Sequence, residues 1–370
     1  MKRHLRSAVE WVLSRLPLAR AAYIQRDLAF ARVAELEASL ARLRPLRTEA
    51  KGTDGLSAVA QVQQLDPMLL EKQVPVTRTV EERIAIATRC RDADVLPKVP
   101  NAGAVVEQAD GLRVQIMHNG IRVVAGGYYG DWMQDLITRC RGHHEPQEET
   151  LFAEVMKHLP AGATMLELGG FWSFYSLWFL SKGKGRRSVI VEADPANLEV
   201  GRTNARLNNR APYFINAFVG KTPAAPTPFT TEVSGIRELA CVTVDSLMES
   251  QKIEHLDLLH CDAQGAELDV LTSCTELATA GRLSWVIVST HTHHISKDPL
   301  THQRCLAVLR QADATIIAEH DVQESYSGDG LILAKFGPVP STWRTPKLSY
   351  NRYSESLFRN PLYDLAAKYP

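Results

Sequence analysis

The sequence predicts an α/β protein built on a Rossmann-like, seven-stranded sheet with an N-terminal helical extension. Three observations carry this. Met165-Leu166-Glu167-Leu168 is a short apolar strand running into Gly169-Gly170, an apolar helix follows, and Val189-Ile190-Val191-Glu192 is a second strand ending in an acidic cluster with Asp194. Such a strand, glycine turn, helix and strand form the first half of a nucleoside-binding unit. Further strand-like runs alternate with helical ones downstream, and the last two lie close enough in sequence to pair antiparallel.

Composition sets limits on function. The chain has 370 residues, 45% of them hydrophobic, enough for one full α/β core and a smaller additional unit. Forty-two basic residues balance forty-two acidic ones, so no overall field selects nucleic acid as a partner. The six cysteines form no CxxC pair and read as reduced, mostly buried small hydrophobes, as expected in the cytoplasm. No apolar run approaches the roughly 18 residues of a spanning helix, and the start lacks a signal-peptide pattern, so a cytoplasmic protein is expected.

Residues 1–50 repeat Leu5, Val9, Val12 and Leu16, then Val33, Leu36, Leu40 and Leu43, at helical spacing. This amphipathic, coiled-coil-like segment can pack on its own domain or join two copies in a homo-oligomer. Its basic first part, residues 1–30 with Lys2, Arg3, Arg6, Arg15, Arg20 and Arg26, could also touch an anionic membrane surface. Residues 51–110, punctuated by Pro and Gly, read as a connecting region with a short helix around Glu81 to Arg91. Residues 111–150 hold a hairpin, two alternating runs about His118-Asn119-Gly120, and a helix through Ile137. They end in Gly142-His143-His144-Glu145-Pro146-Gln147-Glu148-Glu149, which can cap a helix over Leu151 to Leu159 or lie over the cofactor crevice.

The core domain is expected over 151–337. Asn204 and Asn208 fall on the helix after the second strand, Pro212 to Phe218 gives a third, and the Pro- and Thr-rich residues 221–240 read as a loop. His255 to Cys261 gives a fourth strand, whose carboxyl end presents His260, Asp262 and Gln264. Leu283 to Ser289 gives a fifth, ending in Thr290-His291-Thr292-His293-His294. A helix over Leu300 to Gln311, then strands Ala314 to Glu319 and Gly330 to Lys335, complete the sheet. Residues 338–370 are an aromatic-rich tail that can wrap the domain.

The turn after the first strand also speaks to the ligand. A dinucleotide site would place three glycines where a helix N-terminus receives a pyrophosphate. Here Phe171, Trp172 and Ser173 follow the two glycines, and Glu167 would repel phosphate but could hold an ammonium. S-adenosyl-L-methionine carries that ammonium and no phosphate. Glu192, with Ala193 and Asp194, stands where a strand-2 carboxylate accepts ribose hydroxyls, roughly 20 residues beyond the glycine turn. The expected cofactor residues are therefore Glu167, Gly169, Gly170, Ser173, Glu192, Ala193, Asp194 and Asn216, joined by Glu145 and Glu148 from above the crevice.

Glu167 with Gly169, Val191-Glu192 with Asp194, Asn197, Asn204, Thr243-Val244-Asp245-Ser246-Leu247 and, above all, Asp257 to Glu267 resemble the FkbM-type methyltransferase family from about Glu145 to Phe336. The chain departs from that pattern in the glycine turn, where Phe171 and Ser173 stand in place of an asparagine and a third glycine. The resemblance implies the seven-stranded methyltransferase sheet and S-adenosylmethionine-dependent O-methylation of a hydroxyl on a sugar, a glycan or a natural product.

Methyl transfer needs an oxygen aligned with the sulfonium carbon and a group to take the hydroxyl proton. Histidine titrates near neutral pH and suits that task. His291 is the expected base, with Asp262, His260 and His293 as the other catalytic candidates at the ends of strands four and five. The same residues allow a metal-assisted alternative, a divalent ion on Asp262 and His291. A non-catalytic binding or scaffold module built on the same fold is the third reading.

Overall fold

The computed structural model of the chain describes residues 79–298, 300–322 and 324–351. The amphipathic segment 1–50, with the coiled-coil, membrane and oligomer readings placed on it, lies outside the described residues. So do parts of the connecting region and of the tail.

In chain order the helices are α1 (Val80–Ala87), α2 (Asp131–Arg139), α3 (Pro146–Lys157), α4 (Phe174–Ser181), α5 (Pro195–Leu207), α6 (Val244–Ser250), α7 (Glu267–Ser273), α8 (Thr275–Thr279), α9 (His293–Ser296) and α10 (Thr301–Gln311). The strands are β1 (Val105–Glu107), β2 (Arg113–Ile116), β3 (Arg122–Val124), β4 (Thr164–Leu168), β5 (Arg187–Glu192), β6 (Tyr213–Asn216), β7 (Phe218–Val219), β8 (Ala224–Thr230), β9 (Ile236–Val242), β10 (Leu256–Cys261), β11 (Leu283–Thr290), β12 (Thr315–His320) and β13 (Gly330–Lys335).

Seven strands form the central sheet in the order β12-β13-β11-β10-β4-β5-β6. Neighbours from β11 through β6 run parallel, while β13 lies antiparallel to both β11 and β12. The chain leaves β4 in one direction through β5 and β6 and returns to β4's other side with β10, so the crevice falls at the carboxyl ends of β4 and β10.

Alternate residues of each strand enter opposite cores, because side chains on a strand point alternately to its two faces. Met165, Leu258, Trp285 and Ile287 join Phe152, Val155, Phe174 and Trp178 of α3 and α4. Leu166, Leu168, Leu259, Val286 and Val288 join Leu247, Leu271, Leu306 and Leu309 of α6, α7 and α10. With both faces covered, β4 and β10 read as nearly continuous apolar runs. On the α3 face the parity continues but the chemistry changes near the carboxyl ends, where Glu167, His260 and Ser289 are buried.

A second sheet, β1-β2-β3, contains the expected hairpin plus one further strand. Two asparagines, Asn204 in α5 and Asn208 at its C-cap, close its open edge. Asn204 Oδ1 accepts from Val124 N–H at 2.8 Å, and Asn208 exchanges bonds with both the N–H (2.9 Å) and the carbonyl (2.6 Å) of Arg122. Asn204 Nδ2 also donates to the Trp172 carbonyl at 2.9 Å, tying this sheet to the bend after β4.

Two expectations are corrected. Residues 221–240 are not a loop: β8 and β9 form an antiparallel hairpin, in a third sheet ordered β7-β9-β8. Pro226 and Pro228 fit because β8 is the edge strand, where a missing N–H costs no ladder bond, and the register shifts between Ala224 and Thr227. The second concerns α3, which begins at Pro146 rather than Leu151, so the polar cluster forms its first turn. Glu145 is the N-cap residue but makes no side-chain capping bond. The described part of the tail lies on the domain, with Trp343 buried against Trp285 and Ser349 bonded to Asp92 at 2.8 Å.

Candidate active site

The bend after β4 is the tightest point of the crevice. Gly169 (φ 78°) packs so closely on β10 that a Cβ built there would lie 1.8 Å from the Asp262 carbonyl oxygen. The Gly169 and Gly170 N–H groups both donate to Val191 O, and Asp262 N–H donates to Leu168 O. The ends of β4, β5 and β10 are thus laced together by backbone. Phe171 (φ 31°) and Ser173 (φ 66°) also take positive φ. The backbone keeps left-handed turns at the two positions where the family pattern has asparagine and glycine, although the side chains there strain them.

Ser173 is fully buried, its hydroxyl has no hydrogen-bond partner, and a Cβ at Gly201 of α5 would lie 2.3 Å from its Oγ. The hydroxyl therefore faces α5. Ser173→Gly should raise stability by about 1 kcal/mol, since glycine relieves the left-handed strain and removes an unpartnered buried hydroxyl. A urea titration reads the gain. A cofactor affinity tenfold weaker in the same variant would instead give the hydroxyl a ligand.

Glu192 sits at the tip of β5 directly on the bend. Its Oε2 accepts from Phe171 N–H at 3.0 Å and its Oε1 from Asp194 N–H at 2.7 Å, which leaves each oxygen a lone pair. Burial pushes its carboxyl up to about 7. Glu167 accepts from Ser176 N–H at 3.1 Å, and burial likewise raises it to about 7. Ala193 and Asn216 lie at the same edge, the Asn216 amide donating to the Glu192 and Ala193 carbonyls, both at 2.9 Å.

Asp194 is used differently. Its two oxygens accept from Ala196 N–H, Val233 N–H, Ser234 N–H and the Ser234 hydroxyl. Those four bonds fill the acceptor capacity of a carboxylate. Asp194 therefore caps α5 and clamps the β8–β9 turn.

From α3, Glu148 reaches His260 Nε2 (2.6 Å) and the Ser289 hydroxyl (2.5 Å). Burial lowers the tendency of His260 to carry charge, but Glu148 outweighs it and the imidazole pKa is raised. His260 and Glu148 are thus a buried pair beneath the crevice. Glu145 accepts from the Tyr175 hydroxyl at 3.3 Å, and burial, reinforced by Glu148, raises it to about 7.

At the ends of β10 and β11, His291 lies between carboxylates. Its Nδ1 is 2.6 Å from Glu267 Oε1 and its Nε2 3.1 Å from Asp262 Oδ1, with Asp329 Oδ1 at 3.9 Å. Burial opposes the charge, yet Asp329, Asp262 and Glu267 together hold the imidazole well above its usual pKa. The His291 side chain is 4% exposed and that of Asp262 26%, so Asp262 is the face the crevice sees. Glu267 is fully buried and also accepts Gly265 N–H, which fixes the turn leading into α7. The His293 backbone opens α9, and its side chain lies outside what the structure describes. Among the described residues, Asp262 and His291 are not part of a group of three or more clustered metal-ligating side chains.

Sequence reasoning missed Asp329. It precedes β13, and an antiparallel strand brings its amino end to the edge where the parallel strands finish; that topology was the available signal. Aromatic rings gather beside the bend: Tyr128 stacks on Trp172 with ring centres 4.4 Å apart, and Gln264 donates to the Tyr129 hydroxyl at 2.5 Å.

Residues 154–315 match the family model described as the methyltransferase FkbM domain. That stretch is similar to the FkbM methyltransferase domain. The matched stretch contains β4, β5 and β10 with the bend, Glu192, Asp262 and His291. Among curated proteins none matches the chain. Solved structures similar to it include precorrin-6y C5,15-methyltransferase from Geobacter metallireducens GS-15, at 12% identity over 51% of this chain and 88% of that one, with a TM-score of 0.34. A SAM-dependent methyltransferase from Aquifex aeolicus is 11% identical over 51% of this chain and 89% of that one, with a TM-score of 0.32. TrmK from M. capricolum, solved with S-adenosyl-homocysteine, is 11% identical over 50% and 67% of the two chains, with a TM-score of 0.33.

Proposed function

We propose that this FkbM-like domain is an S-adenosyl-L-methionine-dependent O-methyltransferase whose acceptor is a hydroxyl of a sugar, a glycan or a natural product. The observation that carries the reading is Glu192 on the Gly169-Gly170 bend, its carboxylate anchored by Phe171 N–H and Asp194 N–H with lone pairs to spare. Two acceptor oxygens held side by side match the two hydroxyls of a ribose, and the acid-and-glycine bend suits an ammonium rather than a phosphate. Glu145 and Glu167 add negative charge toward a cofactor that carries a sulfonium and an ammonium.

When bound, the cofactor supplies an electrophilic methyl group. The protein's task is to hold the acceptor oxygen in line and take its proton as the C–O bond forms and the C–S bond breaks. Asp262 faces the crevice and positions the hydroxyl. His291 Nε2 behind it receives the proton, and Glu267 on Nδ1 fixes the ring. The half-buried Tyr128 and Tyr129 rings, with Trp172 buried against Tyr128, give a sugar ring an aromatic surface.

Calorimetry with S-adenosylhomocysteine tests the cofactor site. Because burial holds Glu192 near about 7, against an ordinary value of 4.5, much of it is protonated below neutral pH and it ionises as pH rises. Wild type should therefore bind more tightly as pH rises from about 6 to about 8. Glu192→Gln should cost about 1 to 3 kcal/mol at the upper end, and the gap between the two proteins should widen with pH, because only wild type gains a charge at 192. A gap of a few tenths of a kcal/mol at every pH would remove Glu192 from the cofactor site, and no binding by wild type would favour a scaffold.

A further inference from the structure

Away from the crevice, three imidazoles converge on a single buried carboxylate. The His118 and His143 Nδ1 atoms lie 3.1 and 2.5 Å from Glu149 Oε2. The two rings stack with centres 4.1 Å apart, and all three side chains are nearly or fully buried. Local structure brings them together. A Cβ at Gly142 would lie 2.3 Å from His118 N, so only glycine lets the end of β2 approach the segment before α3, where His118 N–H donates to Gly142 O.

The other carboxylate oxygen is already held. Oε1 accepts the His144 and Glu145 N–H groups at 2.8 and 3.2 Å, with His144 Nδ1 also 2.8 Å away. That leaves Oε2 oriented toward the two rings. His118 Nδ1 makes no hydrogen bond despite its proximity, because it points past the oxygen rather than at it. A fully buried nitrogen left unpartnered beside a carboxylate is costly unless something else occupies its lone pair.

We propose that His118, His143 and Glu149 bind a divalent transition-metal ion of the zinc class. Two imidazole nitrogens and one carboxylate oxygen are a borderline donor set that suits zinc, and a water can complete a tetrahedron. The three donor atoms lie within 4.8 Å of one another. A tetrahedral ion with bonds of about 2.0 to 2.2 Å spaces its donors about 3.3 Å apart, so side-chain adjustments suffice to close the site. Backbone N–H groups on Oε1 supply the outer-shell orientation such ligands need. Lying between the β2–β3 turn and α3, the ion acts as a staple joining the β1-β2-β3 sheet to the methyltransferase core.

The test uses the full chain and needs no cofactor or activity. After loading with Zn2+ and desalting, mass spectrometry should find about one equivalent per chain. Chelation should then lower the melting temperature by about 5 °C or more, restored by Zn2+. Co2+ in place of zinc should give visible absorption bands of a tetrahedral site. Glu149→Gln should lose the equivalent while keeping its far-ultraviolet circular dichroism. If that variant misfolds, stripping and reloading of wild type decides alone. The proposal is overturned if wild type retains neither ion after desalting, or if folded Glu149→Gln still holds its equivalent.

Discussion

Gly169→Ala should be the most damaging single-atom addition in the crevice, costing more than about 4 kcal/mol and abolishing cofactor binding. Two effects add. Alanine at φ 78° pays about 1 to 2 kcal/mol for the left-handed conformation alone. The new Cβ would also meet the Asp262 carbonyl oxygen at 1.8 Å and its carbon at 2.7 Å, both backbone atoms. Asp262 cannot yield without breaking its N–H bond to Leu168 O, and any retreat opens the contact between β4 and β10. Gly170→Ala is the matched comparison: its Cβ would meet the Ile190 Cγ2 at 2.2 Å, a side-chain clash that a change of the Ile190 rotamer within the core can relieve at some cost, without moving backbone. Thermal melts and calorimetry with S-adenosylhomocysteine on the two variants give the comparison. Equal, small losses in both would mean that the approach of β10 to the bend is not needed to form the site.

How far the sequence reaches is clear at particular residues. The Gly169-Gly170 bend and the strand ends at Glu192, Asp262 and His291 were legible, because period-2 apolar runs stopping at glycine or acid leave little choice of strand end. Asn204 was legible as a motif residue but not in role. Nothing in a one-dimensional pattern says that an asparagine on α5 will close the open edge of β3 and hold Trp172 O. The structural partners of Asp194 were hidden for a related reason: they come from Val233 and Ser234, in the hairpin that Pro226 and Pro228 made look like a loop. The start of α3 at Pro146 was obscured by the density of polar residues there. Their partners, His260 and Ser289 among them, lie far along the chain.

His291→Gln should depress turnover by about 100-fold or more while S-adenosylhomocysteine affinity stays within a few-fold of wild type. The pH profile makes the assignment sharper. Asp329, Asp262 and Glu267 hold the His291 pKa well above 6.5 in the folded protein, so the free enzyme carries an imidazolium at neutral pH. A base must first lose that proton, and kcat/KM should therefore climb on the alkaline side toward the raised pKa, a limb that His291→Gln should lack. If Asp262, whose carboxyl is held below its usual range, took the proton instead, wild type would be flat there. Stability gives an independent check with a definite sign. A histidine whose folded-state pKa exceeds its unfolded value contributes fully below about 6.5 and loses that contribution as pH rises through the folded value. The stability advantage of wild type over His291→Gln should shrink toward high pH, over the same range in which turnover rises. Coincidence of the two curves would tie both to one titrating group, whereas an alkaline limb that persists in the variant would assign the base elsewhere.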